Sequence, residues 1–281
     1  VSYDVISSEF AALGASGSAY TAGLRGNYPV IRSRSANLVV SAAADYSQFS
    51  NRDKQQGLVS DYSSMNYSAS LYWNAFDRVG TSGITKASMT ITAGKVDLTD
   101  SPNQSLVAAA NNAQGRFSKI VYSASRSQFI ADGLSLTGSI SGQVTNANLD
   151  SSEMFYLGGA YDVQVYGNPG AGSQGQIANV ELRKVFSEKI SGAMFYDYGH
   201  VRVNVDNDFT GASSNNRYSM SGAGLALFWT PRQKVDVKLI WAKRLDPDTN
   251  TIGSALSNTR DRARDSTLGG NQLWLVLSAA F

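Results

Sequence analysis

The chain has 281 residues, a net charge of +2, 16% charged residues and no cysteine. Near neutrality gives no case for nucleic acid, and the lack of cysteine excludes disulfides, thiol catalysis and thiolate metal sites. A 42% hydrophobic fraction excludes disorder, yet no apolar run approaches the roughly 18 residues of a spanning helix, so a membrane passage here has to be made by a closed sheet.

Val1 opens without a secretory leader, which reads as a mature or shortened chain. From there the pattern is period two, the mark of strands with one apolar and one polar face. A weak first strand is expected around Tyr3–Leu13, with a short link near Gly14–Gly17. Ala22, Leu24, Tyr28 and Val30 then oppose Thr21, Arg25 and Asn27, and a tight link follows at Ser33–Ser35. Leu38, Val40, Ala42, Ala44 and Tyr46 oppose Asn37, Ser41 and Asp45, with a long polar link at Asn51–Ser60. Met65, Tyr67, Ala69, Leu71, Trp73 and Ala75 alternate with Asn66, Ser68, Ser70 and Asn74 before a tight link at Arg78–Ser82.

The next long link spans Thr99–Gln114, and the next tight one Ala131–Gly133. Leu134, Leu136, Ile140 and Val144 oppose Ser135, Thr137, Ser139, Ser141 and Gln143, ahead of the longest link, Asn146–Gln174. Further links follow at Ser187–Lys189 (tight), Asn204–Asn216 (long), Pro231–Gln233 (tight) and Asp246–Gly270 (long). Val235, Val237, Leu239 and Trp241 oppose Asp236, Lys238 and Ala242, and the last strand puts Leu273, Leu275, Leu277, Ala279 and Phe281 on one face.

About twelve strands, with tight and long links alternating strictly from Ser33 onward, predict an all-β transmembrane antiparallel barrel over 1–281, tight turns periplasmic and long loops external; the link near Gly14–Gly17 should be external and is short. A soluble sandwich also alternates, but its strands are shorter, usually about 5–6 residues. Mid-strand charges at Arg25, Asp45, Lys119, Glu181, Arg183 and Lys238 fall on the polar face and are expected to line a wet lumen. Tyr46, Phe49, Trp73, Phe76, Tyr122, Phe129, Phe228 and Trp229 stand near strand ends and are expected to form an interfacial girdle. The apolar face ending at Phe281 matches the signal read by the outer-membrane insertion machinery.

No catalytic constellation or metal site is expected. His200 is the only histidine and reads as structural or solvated. Asp197 and Glu181 read as lumenal charges rather than an acid–base pair. Asp246–Asn250 opens like a calcium loop but lacks Gly at its sixth place (Thr251) and Glu at its twelfth (Ser257). Asp206 and Asp208 read as an ordinary external loop, with weak binding of external Ca²⁺ as the alternative, and Gly167–Gly175 lacks the Gly-Lys-Ser/Thr of a phosphate loop. The Arg260–Asp265 stretch reads as a solvated external loop, with contact to anionic lipopolysaccharide as the sharper alternative.

Two segments carry a resemblance. Gly158-Gly159 is followed by Val163-Gln164-Val165-Tyr166, then Gly175 and Asn179–Leu182; Phe195-Tyr196-Asp197-Tyr198-Gly199 follows on the next strand. Together with Gly17–Asn37 and Leu225–Phe281 they resemble, in order and over essentially the whole chain, the haemolysin secretion/activation family of two-partner secretion transporters, in the Omp85 superfamily. The resemblance implies a loop, here 146–174, that folds back into the lumen as a movable plug. In the family its Val-Arg-Gly-Tyr tip pairs through Arg with the inward Asp of Phe-x-Asp-x-Gly. Gln164 stands where the family has Arg and Val165 where it has Gly, so a loosened plug is expected, with Arg183 or water as alternative partners for Asp197. The family also has two periplasmic docking domains and about four more strands, for a barrel of 16, ahead of the point matching Val1. The chain therefore reads either as the C-terminal barrel portion or as a reduced barrel.

The function implied is a pore passing an unfolded exoprotein across the outer membrane, without cofactor and as a monomer. Without docking domains it is expected to conduct rather than to recognise its cargo. The alternatives are a passive diffusion channel, a shortened barrel pore, or an outer-membrane enzyme or adhesion barrel.

Overall fold

The computed structural model describes residues 2–4, 15–53, 58–99, 101–102, 112–157, 170–209, 212, 216–232, 234–245 and 271–279. They carry fourteen strands: β1 (Ser2–Asp4), β2 (Ala15–Arg32), β3 (Ala36–Asp53), β4 (Leu58–Asp77), β5 (Gly83–Asp97), β6 (Gly115–Ala131) and β7 (Leu134–Thr145), then β8 (Phe155–Leu157), β9 (Gly170–Gly172), β10 (Gln174–Ser187), β11 (Ile190–Arg202), β12 (Arg217–Arg232), β13 (Val235–Arg244) and β14 (Asn271–Ala279). Twelve form one antiparallel sheet in the order β1-β2-β3-β4-β5-β6-β7-β10-β11-β12-β13-β14. β8 and β9 pair separately inside the link between β7 and β10. Among the described residues β1 and β14 are not paired with each other.

Period-two alternation fixes which face each side chain takes, and the register carries that choice around the sheet. Leu24 pairs with Ala44, Ala44 with Tyr67, and Tyr67 with Ala93, all on the apolar face. This face is bare: Leu24 is 82% exposed and Leu275 63%. In water such a surface has no stabilising partner, whereas lipid supplies one. On β4 the outward apolar residues run from Met65 to Ala75, a span of the roughly 9–11 residues that a tilted strand needs to cross the bilayer. Residues 58–64 therefore rise above the apolar band on the external side.

The tight turns are where expected. The strands break at residues 33–35, 78–82, 132–133 and 188–189. Gly133 takes φ +62°, a conformation that costs an L side chain strain. Register shifts fall beside these turns, between Pro29 and Ile31, Phe129 and Ala131, Val185 and Ser187, and Trp229 and Arg232. Pro29, which lacks an N–H, is tolerated because it stands at such a bulge.

Three expectations are corrected. Ser2–Asp4 pairs with Ser16–Ser18, so Gly17 lies in the ladder rather than in a link, and residues 5–14 lie outside the described residues. Asn51–Ser60 is not a long loop, because Asn51 pairs with Ser60, Arg52 with Val59 and Asp53 with Leu58, leaving only 54–57. Ladder hydrogen bonds do not depend on side-chain polarity, so polar residues extend the strands past the bilayer. The aromatic girdle is half as large as expected. Tyr46, Trp73, Tyr122 and Trp229 face outward, whereas Phe49, Phe76, Phe129 and Phe228 take the inward register of Ser47, Asn74, Ser127 and Ala226. Phe49 stacks on Tyr62 at 4.8 Å, and Phe228 lies under Arg183.

Candidate functional site

The inward face holds all six mid-strand charges singled out above. Arg25 pairs with Ala43 and Gly23 with Asp45, Asp45 pairs with Asn66, and Asn66 with Gly94. The same face continues through Lys119–Thr145, Glu181–Thr137, Glu181–Phe195, Arg183–Ala193 and Phe228–Lys238. Serine and threonine fill the positions between them. Ser70 and Thr90 bond at 2.9 Å, and Ser139 donates to Asn179 at 3.2 Å. The inner wall is thus wet and lightly charged.

The described stems of the link between β7 and β10, residues 146–157 and 170–173, lie against this wall. The first stem turns inward after Thr145 and places Glu153 among three side chains of the wall. Glu153 Oε2 meets Lys119 Nζ at 2.7 Å, and both side chains are only 12% exposed. Asn66 Nδ2 donates to Glu153 Oε1 at 2.7 Å. The Glu153 carbonyl accepts from Lys119 Nζ at 2.9 Å and from Gln143 Nε2 at 3.0 Å. Gln143 Nε2 also donates to Ser173 O at 3.1 Å, which ties the outgoing stem to the returning one.

Apolar contacts seat the same stems. Leu149, fully buried, packs with Tyr62, Val96, Leu98 and Phe117. Leu157, also fully buried, packs with Ile177, Phe195, Val201 and Met220. Tyr62 donates to Asp150 Oδ1 at 2.9 Å; burial pushes its phenol well above the ordinary range, and the Asp150 carboxylate adds to this. The Tyr218 hydroxyl donates to Ala171 O at 3.1 Å, and burial raises that phenol too. Asn148 exchanges two bonds with Asp206, at 2.8 and 2.9 Å, so one external loop holds the next.

A family model described as haemolysin secretion/activation protein ShlB/FhaC/HecB matches residues 2–227. The chain belongs to this family. Among solved structures, CdiB from Escherichia coli superposes with a TM-score of 0.70 at 14% identity, over 95% of this chain and 46% of that one. CdiB from Acinetobacter baumannii gives 0.61 at 15% identity, over 84% and 40%. At these identities the likeness is one of fold, and the chain spans less than half the length of either CdiB. No curated protein sequence matches it. The chain is an outer-membrane β-barrel protein of the haemolysin secretion/activation family.

Phe195, Asp197 and Gly199 all face inward on β11, and Phe195 and Asp197 are 6% and 1% exposed. Each faces a glycine on β12: Phe195 pairs with Gly224 and Asp197 with Gly222. A Cβ on Gly224 would stand 2.5 Å from Phe195 Cζ and 2.2 Å from Trp241 O, so the ring occupies the space that a side chain would need. Asp197 accepts from Asn179 Nδ2 at 2.8 Å.

The expectation that Arg183 partners Asp197 is overturned. Arg183 Nε is bonded to Glu181 at 2.9 Å, and its guanidinium lies 3.8 Å over the Phe228 ring. At the level of Asp197 the register instead runs Asn179, Asp197, Gly222, Arg244, and Arg244 is 8% exposed. Residues 163–166, Asp246–Asn250 and Arg260–Asp265 lie outside the described residues. Of the apolar terminal face, Leu273, Leu275 and Leu277 point outward, and Phe281 lies outside the described residues. His200 faces outward near Ser219, with Nδ1 3.2 Å from its hydroxyl.

Proposed function

We propose that this chain forms the translocation pore of a two-partner secretion transporter, passing an unfolded exoprotein across the outer membrane, with the 146–174 link as a lumenal plug. The observation that carries the reading is Glu153 bonded to Lys119, Asn66 and Gln143, three residues on three strands of the inner wall. A segment held by side chains on its wall blocks part of the lumen, and a cargo chain has to displace it. Arg25, Asp45, Lys119, Glu181, Arg183 and Lys238 are the lumen-lining charges in this reading. No catalytic residue, metal or cofactor is assigned. The pore works as a monomer in a bilayer with lipopolysaccharide, and Leu273, Leu275, Leu277 and Phe281 present the face that the insertion machinery reads.

The test is planar-bilayer recording of the purified protein. Discrete openings interrupted by long closures are expected; a barrel that never conducts would sink the proposal, and one that stays open without closures would make it a passive channel. The loop tip gives a second measurement. Gln164→Arg restores a guanidinium able to make a two-pronged bond to a carboxylate such as Asp197. Open-state current noise is expected to fall in this variant, and unchanged gating would count against a tip that reaches Asp197.

A further inference from the structure

On the outward face, above the apolar band, β10, β11 and β12 gather hydrogen-bond donors. Arg202 stands directly opposite Arg217, and His200 opposite Ser219. Gln174 pairs with Arg202 and Gln176 with His200. Tyr122, Gln174, Gln176, His200, Arg202 and Arg217 line a groove of about 290 Å³, and no carboxylate lines it. Outward residues on β11 run Ile190, Met194, Tyr196 and Tyr198 before His200 and Arg202, so the groove begins where the apolar band ends on the external side.

Like charges directly opposite each other on paired strands destabilise a sheet. Two guanidinium groups in that position call for an anion between them. Arg202 is held ready: its Nε donates to Asn204 O at 3.0 Å and its Nη2 to Val205 O. Neutral carbonyls orient the group without cancelling its charge. Arg217 is exposed, and neither arginine makes an ion pair among the described residues. Arginine's planar fork suits phosphate oxygens, which it can grip through two bonds at once.

We infer that this groove binds the phosphate of an anionic lipid of the outer leaflet, one phosphate bridging Arg202 and Arg217 while the acyl chains run down the apolar face past Tyr198 and Val144. The site lies on the outward face, separate from the lumen. It rests on the reading that the long links are external, not on conduction through the pore.

The experiment is a binding titration of the detergent-folded protein with purified diphosphorylated lipid A. Arg217→Gln is expected to weaken binding about tenfold, the effect of losing one charge-assisted contact. Arg217→Lys, which keeps the charge but not the fork, is expected to fall between. Lys184→Gln, on the same outward face at the periplasmic end, is expected to bind as wild type does. Dephosphorylated lipid A, which loses the contacts to both arginines, is expected to bind the wild type more weakly than the intact lipid binds Arg217→Gln. Equal losses in Lys184→Gln and Arg217→Gln, or no loss in Arg217→Gln, overturn the site. Displacement of lipid A by equimolar inorganic phosphate would show a free-anion site and overturn the lipid assignment. Conductance plays no part in the titration, so failure here and failure of the pore are told apart.

Discussion

Glu153→Gln is expected to raise the ratio of open to closed pore roughly ten- to hundredfold in planar-bilayer recordings. The substitution keeps the shape of the side chain and the Asn66 contact but leaves the Lys119 ammonium without its carboxylate. Lys119 Nζ and Glu153 Oε2 are 2.7 Å apart and largely shielded from water. A charge-assisted hydrogen bond in such a setting is worth about 1.5–3 kcal/mol, and each 1.4 kcal/mol is about tenfold in an equilibrium. Lys119→Met is expected to act in the same direction, and the double variant to do little more than either alone, because both remove one interaction. Lys119→Glu with Glu153→Lys is expected to recover part of the closure. Fully additive single effects would mean that the two residues act separately.

Gly224→Val is expected to have the largest effect on assembly. The new Cβ would lie 2.2 Å from Trp241 O and 2.5 Å from Phe195 Cζ. The first contact is with backbone of the neighbouring strand and cannot be relieved by a rotamer change. Overpacking of a tight site costs typically about 1–3 kcal/mol, and more where backbone has to move. Phe195 would also be driven from the cluster formed by Leu157, Ile177, Val201 and Met220. The folded band in unheated gel electrophoresis should weaken or vanish, whereas Gly26→Val, where a Cβ meets nothing within 4 Å, should keep it. Normal folding of Gly224→Val would show that the β11–β12 packing is looser than described.

Much of the barrel was legible in the chain because its physics is local. Leu273, Leu275 and Leu277 declare a lipid face by parity alone, and the tight turns at 33–35 and 78–82 interrupt that parity. Parity also contained the correct side for Phe49, which shares it with Asp45 and Ser47. Grouping the aromatics by nearness to strand ends hid this, because a phenylalanine at the mouth can seat a loop as well as face lipid. The extension of β3 to Asp53 was missed since a strand above the bilayer needs no apolar side. The Glu153 contacts were out of reach for a different reason. Lys119 and Asn66 lie 34 and 87 positions away, and nothing local says where a 146–174 link folds. Gly222 and Gly224 opposite Asp197 and Phe195 depend on register between β11 and β12, so the strand motif was visible while its counterpart was not.

The central claim is that the stem at Glu153 lies on the inner wall and has to yield for the pore to work. The chain contains no cysteine, so Asn66→Cys with Glu153→Cys introduces the only reactive thiols. Bridging them with a short, reducible bifunctional thiol reagent and recording single-channel current tests the claim most directly. The bridged protein is expected to stay closed, and a reductant to restore openings. Complete bridging with undiminished openings would contradict the claim.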